Sequence, residues 1–347
     1  MVNKALVIYG TSKPVSEDRI NQMARFDLVD TDFAIAEDIQ RIKALNPATK
    51  VIGYRSMLSM HTYYEDWAEV NTHEDWFLHD LNGNRLQIKW ASAWFGMDIS
   101  KVGWRNHFTS LVKQKVEAYG FDGVFLDNCW RGLFMNEWTV PASLVPTIDV
   151  NVWQANMRTF LNEIKTALGS KLAIYNGTDV YLDSLADGLC IEFITRSAFD
   201  MLVAAAQKNK YGIALAKAPY NPDTDEEALW AFCVFLISSG SKSFFAWQFY
   251  GTSVYQGYHP IMDTDVGNPR GAYYTINSDV LGRDFDHAKV FVNFSSTNSY
   301  TVTVDETEHS LPAHSGLIVP WEAPTPTPPI IPIIFIGGVL YLLTRRG

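Results

Sequence analysis

The stretch Tyr119-Gly-Phe-Asp-Gly-Val-Phe-Leu-Asp127-Asn128 decides the fold. Glycine commonly ends a helix, so a helix is expected to end at Gly120, and a short apolar run begins at Gly123. A carboxylate buried inside a strand would cost several kcal/mol, so Asp127 is expected where the strand ends. The stretch therefore predicts a terminating helix, a buried strand, and a carboxylate at the carboxyl end of that strand.

The same alternation fills residues 4 to about 250, as a (β/α)8 barrel requires. The predicted strands are mostly continuous apolar runs, which is typical of parallel strands covered on both faces: Lys4–Tyr9, Phe26–Phe33, Lys50–Met57, Gly123–Asp127, Lys171–Asn176, Gly188–Ile194, Tyr211–Lys217 and Ser243–Phe249. The segments with helical period are Glu37–Leu45, Trp104–Tyr119, Val152–Leu168, Ala198–Lys208 and Asp225–Ser238. Eight alternations predict an α/β fold, the (β/α)8 TIM barrel. A doubly wound open sheet is the alternative, although no Gly-x-Gly-x-x-Gly follows the first strand.

Two regions depart from this rhythm. Leu58 to Gly103 is rich in Trp, Tyr and His, and predicts an elaborated loop over the C-terminal face of the barrel. After about Gly271 the alternation becomes that of antiparallel strands, which predicts a C-terminal antiparallel β-sandwich. The predicted domains are the barrel at 1–270, the β-sandwich at 271–321, a Pro/Thr linker at 322–329 and an anchor at 330–347.

The tail has the composition of a membrane anchor. The segment 323–329 is Pro-rich, as in a stiff spacer, and residues 330–344 are uncharged and mostly apolar before Arg345-Arg346. This predicts a C-terminal hydrophobic transmembrane anchor near the lower length limit for a bilayer, with a buried core helix as the alternative. The positive-inside rule then places the barrel outside the cell, provided that it is exported. No signal peptide is visible in this chain, so a cytosol-facing, tail-anchored protein is a further alternative.

Composition narrows the function. Hydrophobic residues make up 47% and charged residues 19%, so the body of the chain is expected to fold around a core. The net charge is −10 and no basic block is present, so no nucleic-acid partner is expected. The three cysteines lie far apart in apolar runs and predict buried thiols, with neither a disulfide framework nor a metal site. The chain has no P-loop and no Gly-x-Ser-x-Gly, and no cofactor is expected.

Two carboxylates are the candidate catalytic residues. In a (β/α)8 barrel, functional residues lie at the carboxyl ends of the strands, and Asp127 and Glu192 end the fourth and sixth predicted strands. For Asp127, the alternative is a structural role, such as pairing with Arg131. For Glu192, it is a buried ion pair with Arg196 or Lys217.

Two facing carboxylates in an aromatic-lined cleft are what glycoside hydrolysis needs, because one attacks or stabilises the sugar while the other protonates the leaving oxygen. Rings and hydrogen-bonding groups near the strand ends are candidates for holding a carbohydrate substrate: Asp32, Tyr54, Arg55, Trp94, Asp98, Asn128, Asn176, Arg196, Lys217, Trp247 and Tyr250. Asp98 could instead cap the following helix with Ser100. The spacing in sequence leaves retaining and inverting mechanisms open.

The order Asp98-Ile-Ser100, Trp104-Arg105 and then residues 119–128 resembles the hypothetical glycosyl hydrolase barrels, most closely family 15. It is more distantly similar to polygalactosaminidase-like and α-galactosidase-like barrels, and the likeness covers roughly residues 4–320. The resemblance implies that Asp127 is the nucleophile and Glu192 the acid/base of a retaining enzyme. The seventh strand ends near Lys217 without a carboxylate, which departs from the large β-glycosidase clan.

The sequence thus predicts a membrane-anchored glycoside hydrolase that acts on a polysaccharide or glycan at a cell surface. The alternative is a non-catalytic carbohydrate-binding or structural surface protein built on the same barrel. Sugar identity, linkage and endo or exo action are left open.

Overall fold

The computed structural model describes residues 2–8, 15–33, 38–89, 93–182, 186–217, 224–248, 257–321, 335–336 and 339–340. Eight parallel strands pair in chain order: β1 (Ala5–Val7), β2 (Leu28–Asp32), β3 (Lys50–Ser56), β6 (Gly123–Cys129), β7 (Leu172–Gly177), β8 (Gly188–Glu192), β9 (Tyr211–Lys217) and β10 (Ser243–Gln248). The N–H of Phe245 donates to the Asn3 carbonyl at 3.0 Å, beside a parallel bridge between Lys4 and Phe245. The sheet is therefore a nearly closed barrel, which confirms the predicted fold of this part of the chain.

Helices connect most of the barrel strands: α1 (Glu17–Met23), α2 (Ile39–Leu45), α3 (Trp67–Val70), α4 (Val102–Tyr119), α5 (Val150–Leu168), α6 (Arg196–Gln207) and α7 (Asp225–Ser238). Gly120 ends α4 with a φ of 76°, a conformation that glycine adopts without steric cost. The prediction missed α1, where the Ser16 side chain accepts a hydrogen bond from the Arg19 N–H at 3.2 Å and so caps the helix. The 3-10 helix Asp179–Tyr181 lies between β7 and β8.

Side-chain alternation along the strands decides what reaches the mouth of the barrel. One set of alternate residues fills the interior, including Ile52, Phe125, Ile174, Cys190 and Leu215. Successive side chains on a strand point to opposite faces, so the residue two positions farther on has the same orientation. In the five strands named here these residues are, in the same order, Tyr54, Asp127, Asn176, Glu192 and Lys217, and each lies near the carboxyl end of its strand. The barrel interior therefore ends in a layer of polar side chains.

The long segment after β3 folds over this mouth, as predicted. It contains the antiparallel hairpin of β4 (Ser59–His61) and β5 (Trp94–Gly96), which places Trp94 beside His61. A tight turn lies at residues 81–85, with Gly83 at a φ of 85° and His79 bridged to Arg85. The three cysteines are free and buried, as expected.

The C-terminal region consists of antiparallel sheets. Its strands are β11 (Tyr274–Thr275), β12 (Val280–Asp284), β13 (Ala288–Asn293), β14 (Tyr300–Val304), β15 (Thr307–Leu311) and β16 (Ser315–Pro320). The four-stranded sheet β11-β12-β13-β16 and the hairpin β14-β15 share an apolar cluster that includes Phe291 and Val302. Helix α7 contacts this sheet through Trp230, whose indole N–H donates to the Asn293 carbonyl at 3.1 Å. Because α7 is covered by the barrel and the sheet, residues 230–237 are all buried.

The described part of the tail is a short antiparallel pair, β17 (Phe335–Ile336) with β18 (Val339–Leu340). No helix within the described residues is long and apolar enough to cross a membrane. The linker at 322–329 and most of 330–347 lie outside the described residues, and the anchor stays a prediction.

Candidate active site

Asp127 from β6 and Glu192 from β8 meet at the mouth of the barrel, with Asn176 of the intervening strand β7 between them. The amide nitrogen Nδ2 of Asn176 donates to Asp127 Oδ1 and to Glu192 Oε1, at 2.8 Å in each case. These two carboxylate oxygens therefore lie no farther apart than twice 2.8 Å, about 5.6 Å. One neutral side chain thus limits the separation of the two candidate catalytic groups.

Asp127 is only 8% exposed and accepts hydrogen bonds at both oxygens. The Tyr54 hydroxyl donates to Oδ2 at 2.6 Å, and the Asn128 backbone N–H donates to Oδ1 at 2.8 Å. Burial, followed by the charge of Glu192, raises the pKa of Asp127 above its ordinary value. Burial and the charge of Asp127 raise the pKa of Tyr54 well above its ordinary value, which keeps its hydroxyl a neutral donor.

Glu192 is more open to the cleft, with 20% of its side-chain surface exposed. Its Oε2 accepts from the Lys217 ammonium at 2.8 Å. The ion pair that the sequence offered as an alternative role is therefore present, with Lys217 rather than Arg196, and it lies in the cleft beside Asp127.

The backbone at the end of β6 is irregular. A β-bulge separates Leu126 from Cys129, and Asn128 has a φ of 59°, which is uncommon for a non-glycine residue. The Asn128 side chain is held by Ser56, whose Oγ accepts from Nδ2 at 2.9 Å. Bulges and left-handed residues often occur at functional sites, where they redirect side chains. Here the bulge turns the chain so that both Asp127 and Asn128 line the cleft.

A cavity of about 850 Å³ opens over the two carboxylates. Beyond the groups already named, its walls are largely apolar: Trp94, Trp130, Phe134, Ile191, Phe193 and Met201. Trp94 comes from the hairpin over the barrel mouth and packs edge-on against His61, with ring centroids 5.1 Å apart. Apolar walls above a floor of hydrogen-bonding groups suit a pyranose, which has apolar C–H faces and polar edges. Among the described residues, no cluster of three metal-ligating side chains is present.

Seven of the predicted site residues meet in this cavity: Asp127, Glu192, Tyr54, Trp94, Asn128, Asn176 and Lys217. Asp32 lies half-buried at the end of β2, where its charge helps to raise the pKa of Tyr63. It is not among the described residues that line the cavity. Tyr250 lies outside the described residues.

Two predicted residues point away from the cleft because they lie on the outer faces of their strands. Arg55 is buried, and one of its terminal nitrogens donates to both oxygens of Asp66 at 2.6 and 2.7 Å. Trp247 is only 3% exposed and packs against His259, with ring centroids 5.1 Å apart. Both predictions are corrected, since neither side chain is among those lining the cavity.

Two further predicted residues have local structural contacts. Asp98 accepts from the backbone N–H and the hydroxyl of Ser100, at 2.9 and 2.6 Å, and so holds the turn before α4. This matches its alternative structural role. Arg196 is exposed at the start of α6, and its guanidinium lies over the rings of Phe199 and Phe294, 5.3 and 4.9 Å from their centroids. Arg196 therefore packs between the barrel and the C-terminal region.

The sequence reasoning missed three residues near the site. Trp130 and Phe134 follow the strand-end motif directly, and aromatic residues in that loop were the available signal. Asp30 lies on the inner face of β2 and is fully buried, and among the described residues neither of its carboxyl oxygens has a hydrogen-bond partner. Burial, and then the charges of Asp127 and Asp32, raise the pKa of Asp30 well above its ordinary value.

A family model described as "Hypothetical glycosyl hydrolase family 15" matches residues 43–289 of the chain. The match spans most of the barrel and includes both candidate catalytic carboxylates. No curated protein matches the sequence.

Solved structures with the same fold include sugar-processing enzymes. The maltogenic α-amylase AmyB from Thermotoga neapolitana is 11% identical, with a TM-score of 0.53, over 92% of this chain and 96% of that chain. An α-galactosidase from Thermus thermophilus, in complex with p-nitrophenyl α-D-galactopyranoside, is 12% identical, with a TM-score of 0.52, over 84% of this chain and 67% of that chain. The glycoside hydrolase domain of PelA from Pseudomonas aeruginosa is 14% identical, with a TM-score of 0.49, over 76% of this chain and 97% of that chain. At these identities the likeness to the amylase and the galactosidase shows the fold alone.

Proposed function

We propose that this chain, which belongs to hypothetical glycosyl hydrolase family 15, is a retaining glycoside hydrolase with Asp127 as nucleophile and Glu192 as acid/base. The observation that carries the proposal is the carboxylate pair bridged by Asn176. Carboxyl groups about 5–5.5 Å apart are typical of retaining enzymes, and about 6.5–9.5 Å of inverting ones, which need room for a water molecule. The limit of about 5.6 Å that Asn176 sets between the bridged oxygens supports the retaining mechanism.

The surroundings of each carboxylate support its role. Asp127 is buried and held at both oxygens by Tyr54, Asn128 and Asn176, as a nucleophile aimed at one carbon requires. In the first step an Asp127 oxygen bonds to the anomeric carbon, the bond from that carbon to the leaving oxygen breaks, and Glu192 gives its proton to that oxygen. In the second step Glu192 takes a proton from a water molecule, whose oxygen attacks the same carbon and releases Asp127.

The walls of the cavity support a carbohydrate chain as substrate. Trp94 offers an aromatic surface at the mouth, and the floor offers the amides of Asn128 and Asn176 and the ammonium of Lys217 to hydroxyl groups. We propose a polysaccharide or glycan as the substrate class.

The test is covalent trapping of the intermediate. A panel of 2,4-dinitrophenyl 2-deoxy-2-fluoro-glycosides, covering gluco, galacto and manno sugars in both anomeric forms, is incubated with the protein and analysed by peptide mass spectrometry. We expect one sugar to label the peptide that contains Asp127, and Asp127→Asn to abolish labelling. Asp98→Asn, which removes one carboxylate outside the cleft, is the matched control and should label normally. Labelling of another carboxylate would overturn the assignment, and inversion of the anomeric centre, read by proton NMR, would overturn the retaining mechanism.

The ion pair between Glu192 and Lys217 favours a second candidate function, because it engages one oxygen of the proposed acid/base in a structural contact. A non-catalytic carbohydrate-binding protein would keep such a cleft without turnover. It predicts glycan binding that survives Asp127→Asn and Glu192→Gln but is lost in Trp94→Ala, together with absent labelling across the panel.

We also propose that residues 330–344 attach the protein to a membrane, with the barrel at the cell surface. The uncharged apolar sequence and the flanking Arg345-Arg346 support this placement. Deletion of 322–347 should move the protein from the membrane fraction to the soluble fraction. Protease added to intact cells should digest the barrel, whereas protection would favour the cytosol-facing alternative.

A further inference from the structure

The loop after β6 carries an aromatic pair at the edge of the cavity. The rings of Trp130 and Phe134 lie with centroids 5.3 Å apart and planes inclined by 50°, and both line the cavity. Phe134 is 43% exposed, although phenylalanine is among the residue types most often buried. A ligand that covers an exposed ring inside a cleft removes apolar surface from water, so this pair is a candidate binding surface.

Trp130, the inner ring of the pair, is held in place before any ligand binds. The Trp130 carbonyl accepts from the Trp153 indole N–H at 2.9 Å and from the Tyr181 hydroxyl at 2.6 Å. The Trp130 ring also packs edge-on against Trp138, with centroids 6.0 Å apart. A surface fixed in this way costs little entropy on binding, which favours affinity.

The pair lies in the same cavity as the two carboxylates but on a different segment of the wall. Trp130 follows Asp127 by three residues and Phe134 by seven, on the segment that the left-handed Asn128 turns at the end of the strand. Three residues span at most about 10 Å, so Trp130 lies next to the dyad, and Phe134 packs against Trp130. A cavity of about 850 Å³ is near the upper end of the range for drug-sized ligands and exceeds what one pyranose ring fills.

We propose that Trp130 and Phe134 form a subsite for a second sugar residue, so that the preferred substrate is an oligosaccharide chain rather than a single glycoside. This inference rests on the proposed function, because the first sugar is placed at Asp127 and Glu192. The apolar faces of a pyranose stack on aromatic rings, whereas a nucleotide would bring phosphates towards the carboxylates of Asp127, Glu192 and Glu137.

The experiment measures binding in the full chain carrying Asp127→Asn, which cannot form the glycosyl-enzyme. An array of di- to hexasaccharides of glucose, galactose, mannose and their 2-amino and 2-acetamido forms identifies an oligosaccharide that binds. Its affinity and that of its monosaccharide are then measured by calorimetry, with and without Phe134→Ala. Tyr119→Ala is the matched control, because Tyr119 is a similarly exposed ring (41%) on α4, outside the cavity.

We expect Phe134→Ala to weaken binding of the oligosaccharide about tenfold, which is the contribution of one stacked ring. Binding of the monosaccharide should weaken less than threefold. Tyr119→Ala should change neither, and Phe134→Tyr should restore oligosaccharide binding. Equal losses for both ligands, no loss for either, or no bound oligosaccharide on the array would each overturn the subsite. Labelling of Asp127 by the fluoro-glycosides reports the proposed function independently, so a failure of the subsite alone is recognisable.

Discussion

Asn176→Asp tests whether the bridging amide organises the two carboxylates. The substitution keeps the size of the side chain but replaces its donating amide nitrogen with an oxygen. That nitrogen donates to Asp127 and Glu192 at 2.8 Å each, so the variant brings a third carboxyl group into contact with both. At neutral pH the new group either repels both neighbours or takes up a proton.

The magnitude follows from the two hydrogen bonds. A hydrogen bond to a charged group contributes about 1.5–3 kcal/mol, and ionisation of the new carboxyl group removes both bonds. If the group takes up a proton, its O–H restores one bond and leaves one lost. The loss is then about 1.5–6 kcal/mol, and since about 1.4 kcal/mol is tenfold in rate, kcat/KM should fall between about tenfold and 10⁴-fold.

The assay is kcat/KM on the 2,4-dinitrophenyl glycoside of the sugar that labels Asp127, measured from pH 4 to 8. The ratio of variant to parent should rise as the pH falls, because protonation of the new carboxyl group restores a donor. Asn162→Asp, the same change on the exposed face of α5, should match the parent at every pH. A folded Asn176→Asp variant with kcat/KM within threefold of the parent at pH 7 and 8 would refute the bridging role.

Three further predictions address the acid, a buried carboxyl group and the C-terminal sheet. Glu192→Gln should lower kcat/KM about 10²- to 10⁴-fold on alkyl glycosides. On 2,4-dinitrophenyl glycosides the loss should be less than tenfold, because their leaving groups need no proton. Equal losses on the two kinds of substrate would contradict an acid role. In Asp30, the folded-state pKa is raised above the unfolded value of about 3.9, so the folded state binds the extra proton and its stability falls as the pH rises above about 4. The gain in the free energy of unfolding from Asp30→Asn, measured with urea, should therefore grow from pH 4 to pH 8, and a gain independent of pH would contradict this. A chain that ends at Arg270 exposes the side of α7 that packs on the sheet, at about 1.5–3 kcal/mol for each large apolar side chain. It should show no cooperative unfolding by circular dichroism, whereas a sharp transition would mean that the barrel folds alone.

The pattern of eight apolar strands was enough to predict the barrel, and the strand ends were enough to predict several of the side chains that meet at its mouth. All eight predicted strands are present, because buried parallel strands need continuous apolar runs that few other elements share. Asp127, Asn176 and Glu192 were predicted from their positions at strand ends, where a polar side chain avoids the cost of burial. The helix α1 was missed, since only seven residues with two buried side chains give little periodicity.

The errors come from the two-residue period of the strands. Arg55 and Trp247 were assigned to the cleft for their place near a strand end, but their neighbours Tyr54 and Ala246 belong to the inner face. Two successive side chains on a regular strand cannot both point inward. Asn128 escapes this rule only because a bulge with a left-handed residue interrupts β6, and nothing in the sequence around Asp127 indicates that bulge.

In the mechanism that we propose, the two carboxylates differ in their exposure, and this difference supports their different roles. The Asn176 amide donates to both groups, so the oxygens that it contacts act as acceptors on Asp127 and on Glu192 alike. Glu192 Oε2 accepts from Lys217, on the side of the carboxylate that does not contact Asn176. Glu192 keeps a fifth of its side-chain surface exposed, so a bound sugar can reach it, as the proposed acid/base must allow. Asp127 is held in one orientation by Tyr54, Asn128 and Asn176, as the proposed nucleophile requires.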